Sequence, residues 1–360
     1  MMTSKAVAAA PPDRPSRRRW LRPALSALVS LAIVVGVFWY FLPQFTSISA
    51  VWQSIRAMTT VEVLSLATAA VWNLATYLFV MVGVTPGLTY RQAFVATESS
   101  TAVSNTLPGG GAIGIALTYT MFGSWGFSRS RTSVSLVVAG LWNNFAKLAM
   151  PVLALSLLAL QGGISGGRVI AAIVGFSALV LALLALTALM RSERSAERLG
   201  LTAAAVANQL LRALRRPPVH GWERATVKFR GRTELLVSAR WLWISIATLV
   251  SHVSLFVVLL ISLRSVGVSQ SSVTWVEALA VFAFARLVTA IPLTPGGLGV
   301  VEVALITGLA AAGGDRPNVA AAVLIFRALT YVLPIPLGLL SYLYYKRNRS
   351  WRRLCDTPHD

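Results

Sequence analysis

Charge is scarce in this sequence, and acid is scarcer still. Of the 360 residues 12% are charged, against about 25% in an ordinary soluble domain. Asp and Glu together number 12, while Lys and Arg number 32. The four aspartates, Asp13, Asp315, Asp356 and Asp360, fall in tails or a loop, which leaves no aspartate base inside an apolar segment. The single cysteine, Cys355, excludes an intrachain disulfide. His220, His252 and His359 are too scattered for a metal site, and His252 has no serine-and-acid company that reads as a triad. No phosphate-binding loop of the Walker type occurs, which argues against nucleotide-driven pumping by this chain alone. No cofactor is expected.

What the chain has is apolar length. It is 56% hydrophobic, and several runs of about 20 apolar residues indicate an all-α, polytopic helical membrane protein. The formal net charge of +20 would suit a nucleic-acid binder, but its distribution does not. Lys and Arg gather in the N-terminal tail, a central segment and the C-terminal tail, beside apolar spans, as in cytoplasmic loops facing anionic lipid. Membrane lipid, not nucleic acid, is the expected partner.

Residues 1–22 read as a disordered basic tail, and Pro23 to Leu42 as the first span. That run is nearer 20 residues than the roughly 7–15 of a signal peptide, so it reads as a retained anchor. Spans follow at Val61 to Gly83, Thr132 to Leu160, Arg168 to Met190, Trp241 to Leu263 and Asn318 to Tyr345. Two further stretches, 91–125 and 275–313, are each split by a Pro-Gly-Gly run into arms too short for a full crossing. The expected architecture is six full spans plus two re-entrant, broken-helix hairpins. The N-terminal membrane half covers 23–190 and the C-terminal half 241–345, joined by a basic amphipathic cytoplasmic segment at 191–240 and followed by a basic tail at 346–360. With both termini cytoplasmic, 25 of the 32 Lys and Arg fall inside.

The most unusual stretch is Arg286 to Glu302, RLVTAIPLTPGGLGVVE. Pro292 and Pro295 withhold backbone donors, and Gly296, Gly297 and Gly299 permit a turn. Broken backbone at membrane depth is tolerated only where protein or a polar cavity surrounds it. If the chain folds back here, Arg286 and Glu302 reach similar depth and are expected to pair. Asn105, Pro108 and Gly109 mark a similar break in the first half. The halves share a layout. A glycine-marked loop follows each Pro-Gly-Gly break by 18 residues, at Gly126 and Gly313, and a polar residue then precedes a proline by seven: Asn144 before Pro151, Arg327 before Pro334. With the assigned topology this makes an inverted repeat, whose sites lie between broken helices at the midplane.

Glu98, Lys147, Arg286, Glu302 and Arg327 are the ionisable residues inside apolar spans. Each costs on the order of 2.5–3.5 kcal/mol at a helix centre. One reading makes them a polar chamber, with Arg286 and Arg327 binding an anionic group while Glu98 and Glu302 balance charge or carry a proton. The other makes them pairs that fix helix packing. Broken helices beside the charges favour the chamber. Helix N-termini after Pro108 and Pro295 add dipole ends suited to phosphate. Asn144 adds a donor, although helix–helix hydrogen bonding accounts for it equally.

Pro292-x-x-Pro295-Gly296-Gly297-Leu298-Gly299-x-x-Glu302 preceded by Arg286, with Asn105-x-x-Pro108-Gly109-Gly110 earlier, resembles the flippase-like family named for the transmembrane region of lysylphosphatidylglycerol synthases. The resemblance covers nearly all of 23–345. It implies a multi-pass bacterial plasma-membrane protein that moves an aminoacylated phospholipid or polyprenyl-phosphate conjugate between leaflets. The synthases carry a soluble aminoacyl-transferase domain after the membrane region. Here about 15 residues follow the last span, so synthesis of the lipid by this chain is not expected. Three functions remain open: a lipid translocase, a membrane enzyme using Glu98 or Glu302 on a polyprenyl-phosphate lipid, and a non-catalytic partner of a synthase or glycosyltransferase.

Overall fold

The computed structural model describes residues 48–107, 109–161, 222–289 and 295–348, with positions 177 and 208 alone between them. The expected first span, the span at 168–190, the tail at 1–22 and Pro108 lie outside the described residues, as do most of the tail at 346–360 and the central segment up to 221. All regular structure among the described residues is helical. The elements are α1 (Ile48–Ala57), α2 (Thr60–Val84), α3 (Tyr90–Thr106), α4 (Gly110–Ser124), α5 (Arg129–Leu160), α6 (Trp222–Ser265), α7 (Trp275–Val288), α8 (Val300–Ala311), α9 (Arg316–Arg327) and α10 (Pro334–Arg347). A 3₁₀ turn at Pro295–Gly297 precedes α8, and a π turn at Ala328–Val332 joins α9 to α10.

Local chemistry sets the helix starts. Thr59 and Glu62, Thr89 and Gln92, and Thr274 and Glu277 are Thr-x-x-Glu/Gln pairs, and all three close reciprocal capping boxes at α2, α3 and α7. Ser128 caps α5, and Asp315 caps α9 with Pro317 in its first turn. Four helices are long and apolar enough to cross a bilayer: Thr60–Val84, Arg129–Leu160, Phe229–Ser265 and the joined Arg316–Arg347. Their outward residues are apolar, including Val61, Leu64, Leu242, Leu249, Leu339 and Leu340, a surface suited to lipid. The protein is therefore a polytopic helical membrane protein.

Three features depart from the hydropathy reading. Short α1 was not anticipated. The helix expected to begin at Trp241 already begins at Trp222, inside the 191–240 segment. The last span is not one regular helix, because the π turn falls between Arg327 and Pro334, a proline that cannot continue the usual ladder.

The helices pack as two similar sets. Each set is a long helix, a hairpin of short helices and another long helix: α2, α3–α4, α5 in the first, and α6, α7–α8, α9–α10 in the second. The leading long helices pack against each other and run antiparallel: Gly83 meets Trp243, while Asn73 donates to Ser254 at 2.9 Å further along. The inner arm of each hairpin packs on the closing helix of the other set, α3 on α10 and α7 on α5. That exchange is what a two-fold relation between the sets requires.

The hairpin arms of 12 to 17 residues are about 18–26 Å long, short of a hydrocarbon core of about 30 Å. Both ends of the α3–α4 hairpin lie beside the end of α10. Trp125 packs edge-on against Tyr345, and Tyr90 and Arg91 share a groove with Tyr344. The ends of the α7–α8 hairpin also lie together, at the Ser265 end of α6, where Arg264 donates to the Val273 carbonyl and Gly313 approaches the Ser272 carbonyl.

Candidate functional site

The two helix breaks and the bend in the last long helix converge on one point. Asn105, buried in the last turn of α3, donates through Nδ2 to the Tyr331 carbonyl at 3.1 Å, and the Tyr331 hydroxyl donates back to the Asn105 carbonyl. Tyr331 lies in the π turn, where the regular backbone ladder is interrupted. The edge of the Tyr331 ring lies against Gly296. A Cβ there would come within 2.2 Å of the ring and 3.1 Å of Asn105 Oδ1. Gly296 also needs its φ of 57°, a left-handed value that favours glycine. Each hairpin break thus touches the other half of the molecule.

Arg327 binds this junction together. Its Nε donates to Glu302 Oε1 at 2.6 Å and its Nη2 to the Gly296 carbonyl at 3.2 Å, while its guanidinium stacks 4.4 Å from the Tyr331 ring centre. The ion pair is enclosed, with side-chain exposures of 10% and 13%. This corrects the expected Arg286–Glu302 pair. Glu302 lies in the first turn of α8 and faces α9 across the helix pair, where Arg327 reaches it.

Arg286 is left without an acid partner among the described residues. It is close enough to Lys147 and His252 to act on both electrostatically, and Arg327 acts on it in turn. Lys147, on α5, is 8% exposed, and His252, on α6, is 5% exposed. His252 Nδ1 lies 3.0 Å from the Thr248 carbonyl, which can only accept, so Nδ1 carries the proton. Its buried Nε2 and the Nε of Arg286 have no hydrogen-bond partner. Among the described residues no carboxylate pairs with Lys147 or Arg286. Three helices therefore bring basic groups together without a counter-charge. Isolated charges in so apolar a setting are costly, and an anion held there relieves that cost. A guanidinium presents a fork that matches phosphate.

The other residues singled out in the sequence are placed differently. Glu98, 2% exposed, sits in the seam between α3 and α10, and its Oε2 has no partner. Asn144 is exposed on α5 and does not enter the junction. Gly109 holds a φ of 67° before α4, and Gly299 a φ of 80° before α8. Neither of these two helix starts has a side-chain cap, unlike those of α2, α3, α5, α7 and α9, although the Gly110 and Ala112 amides at α4 donate to the Leu107 and Gly109 carbonyls. Gly297 turns with a φ of 73°, beside Pro295 in the 3₁₀ turn. A cavity of about 210 Å³ lies within the first set, lined with hydroxyls from Thr97, Ser100, Ser104 and Thr118 and by none of the charged residues.

Two members of this region were not identified as site residues in the sequence. His252 showed as a titratable ring in the middle of an apolar run, and Tyr331 follows Arg327 by four residues, the spacing that stacks neighbours on a helix face.

The fold and the buried charged junction define a multi-pass helical membrane protein with polar groups concentrated at two interrupted helices. Residues 27–338 match the family described as the lysylphosphatidylglycerol synthase TM region, and the chain belongs to that family. Family membership relates it to lipid handling in membranes. No curated protein matches the sequence.

Proposed function

We propose that the chain is a lipid translocase of the flippase or scramblase kind, not an enzyme, in the bacterial plasma membrane. Its cargo is an anionic or aminoacylated phospholipid, or a polyprenyl-phosphate conjugate. The observation that carries this reading is the pair of cations Lys147 and Arg286, with the ring of His252 beside them and no carboxylate paired to them among the described residues, near two helix breaks. Because Arg327 is committed to Glu302, the headgroup phosphate goes to Arg286 and Lys147, with the uncapped helix N-termini as further donors. Arg327 and Glu302 hold the turn that positions Arg286. The acyl chains stay in the bilayer.

Both hairpins are read as re-entrant. The first opens on the Tyr90 and Tyr345 face and the second on the opposite face, so the halves form an inverted repeat. The antiparallel α2 and α6 and the exchanged packing of the hairpins support this. The face bearing Arg91, Arg131, Arg232, Arg240 and Lys346 is cytoplasmic, with both termini on it.

The test is leaflet accessibility of headgroup-labelled lipids in liposomes containing the purified protein. Phosphatidylglycerol and a polyprenyl phosphate are compared with phosphatidylcholine. The wild type is expected to move the anionic lipids, and Arg286→Ala to slow that movement about tenfold or more while the protein remains folded. Equal movement in both overturns the assignment of Arg286. A chemically changed lipid in place of movement favours a membrane enzyme using Glu98 or Glu302. Absence of both, with function lost on altering the basic surface at 222–240, favours a partner role for a synthase or glycosyltransferase.

A further inference from the structure

A second basic feature lies well away from the buried junction, at the end of the bundle where α2 turns into α3. Arg131 from the first turn of α5 and Arg232 and Arg240 from α6 line a groove of about 390 Å³ together with Pro86, Leu235 and Leu236. Arg131 donates to the Pro86 carbonyl and lies 5.4 Å from the Phe127 ring centre, and Arg232 donates to Ser130. These contacts fix two guanidinium groups beside the groove while leaving them further donors, since each carries five. Arg240 is exposed on the same wall. Among the described residues no carboxylate lines the groove, and Glu234, the acid nearest in sequence, is bound to Arg230 at 3.3 Å.

The depth of the groove follows from its neighbours. Trp241 and Trp243 succeed Arg240 directly and are exposed, and Tyr90, which meets Phe79 edge-on as Trp243 does, is exposed as well. Exposed Trp and Tyr at one end of apolar helices mark the level of lipid headgroups. The arginines stand just beyond that belt, while Leu235, 72% exposed, and the partly buried Leu236 extend the groove as an apolar wall.

The geometry points to a resident site for one anionic phospholipid, its phosphodiester held between Arg131, Arg232 and Arg240 and its glycerol and upper acyl carbons against Leu235 and Leu236. The charge complementarity is one-sided: three cations, no acid among the described residues, and a phosphate surface at the same depth. A bound lipid bridges the start of α5 to α6. This site requires only that the chain sits in a bilayer, and it holds whether or not the chain moves lipid.

The experiment uses the full chain purified in neutral detergent and titrated with short-chain phosphatidylglycerol or phosphatidylcholine. Binding is counted by native mass spectrometry, and the melting temperature is followed in parallel. Wild type is expected to retain at least one phosphatidylglycerol, beyond any held at the Arg286 site, and to melt higher with it, and to do neither with phosphatidylcholine. Arg232→Ala/Arg240→Ala is expected to bind phosphatidylglycerol about tenfold more weakly, with Arg232→Lys/Arg240→Lys intermediate. Arg347→Ala, on the same face but outside the groove, is expected to bind as wild type does. Melting of each variant without lipid confirms that it is folded. Equal binding by the double alanine variant and wild type, or equal retention of the two lipids, overturns the site. An equal loss in Arg347→Ala would do so too, since it would reduce the effect to general surface charge.

Discussion

Gly296 shows how much the junction asks of a single residue. Its positive φ and its contact with Tyr331 are separate demands, and a methyl group violates both. Gly296→Ala is expected to lower stability by about 2–5 kcal/mol, combining left-handed strain with overpacking. Gly111→Ala, where an added methyl group meets nothing within 4 Å, is expected to leave the melting temperature unchanged or raise it. Thermal melts in detergent compare the two directly. The Arg327–Glu302 pair makes a second demand. Glu302→Gln or Arg327→Met alone leaves an enclosed charge unmatched and is expected to cost about 3–5 kcal/mol. The double variant removes both charges and is expected to recover a large part of that loss. A double-mutant cycle checks this, and additive losses would show that the two side chains do not act as a pair.

At the level of elements, a close backbone approach joins α3 to α10. A Cβ on Gly338 would lie 2.2 Å from the Glu98 carbonyl and 2.5 Å from the Ala102 methyl, and Ser99 donates to the Gly338 carbonyl at 3.3 Å. Because backbone cannot swing aside as a flexible side chain can, Gly338→Ala is expected to push the first hairpin off α10. The melting temperature should fall clearly, whereas Gly123→Ala, with open space around it, should not lower it.

Much at this scale was legible in the sequence. Apolar runs located α2, α3, α5 and α7 to within a few residues, and the Pro-Gly-Gly runs located both breaks. The π turn was not legible, and neither was the Asn105 contact it makes, from a residue 226 positions distant in sequence. Nor was the partner of Glu302. Two candidate arginines lay at similar depth, and only the packing of α8 on α9 selects Arg327. His252 was visible as an isolated ring, but its company of Lys147 and Arg286 depends on how three helices meet.

At the scale of the whole molecule, two sets of helices exchange their hairpins, so that each break is completed by the other set. Asn105 reaches the turn that belongs to the second set, and Gly296 packs under Tyr331 beside Asn105. That exchange brings Arg286 of the second hairpin close enough to Lys147 of the first set to act on it electrostatically. The lipid-moving account depends on this topology: the hairpins must enter the membrane from opposite sides and meet inside it.

Single cysteines in a Cys355→Ser background, probed with a membrane-impermeant thiol reagent in right-side-out and inverted vesicles, test this most directly. Cysteines at Thr89 and Phe127 should label from one side only, and cysteines at Ser271 and Arg316, both exposed, only from the other. Labelling of Thr89 and Phe127 from opposite sides would mean that the first hairpin crosses the membrane, and would contradict the account.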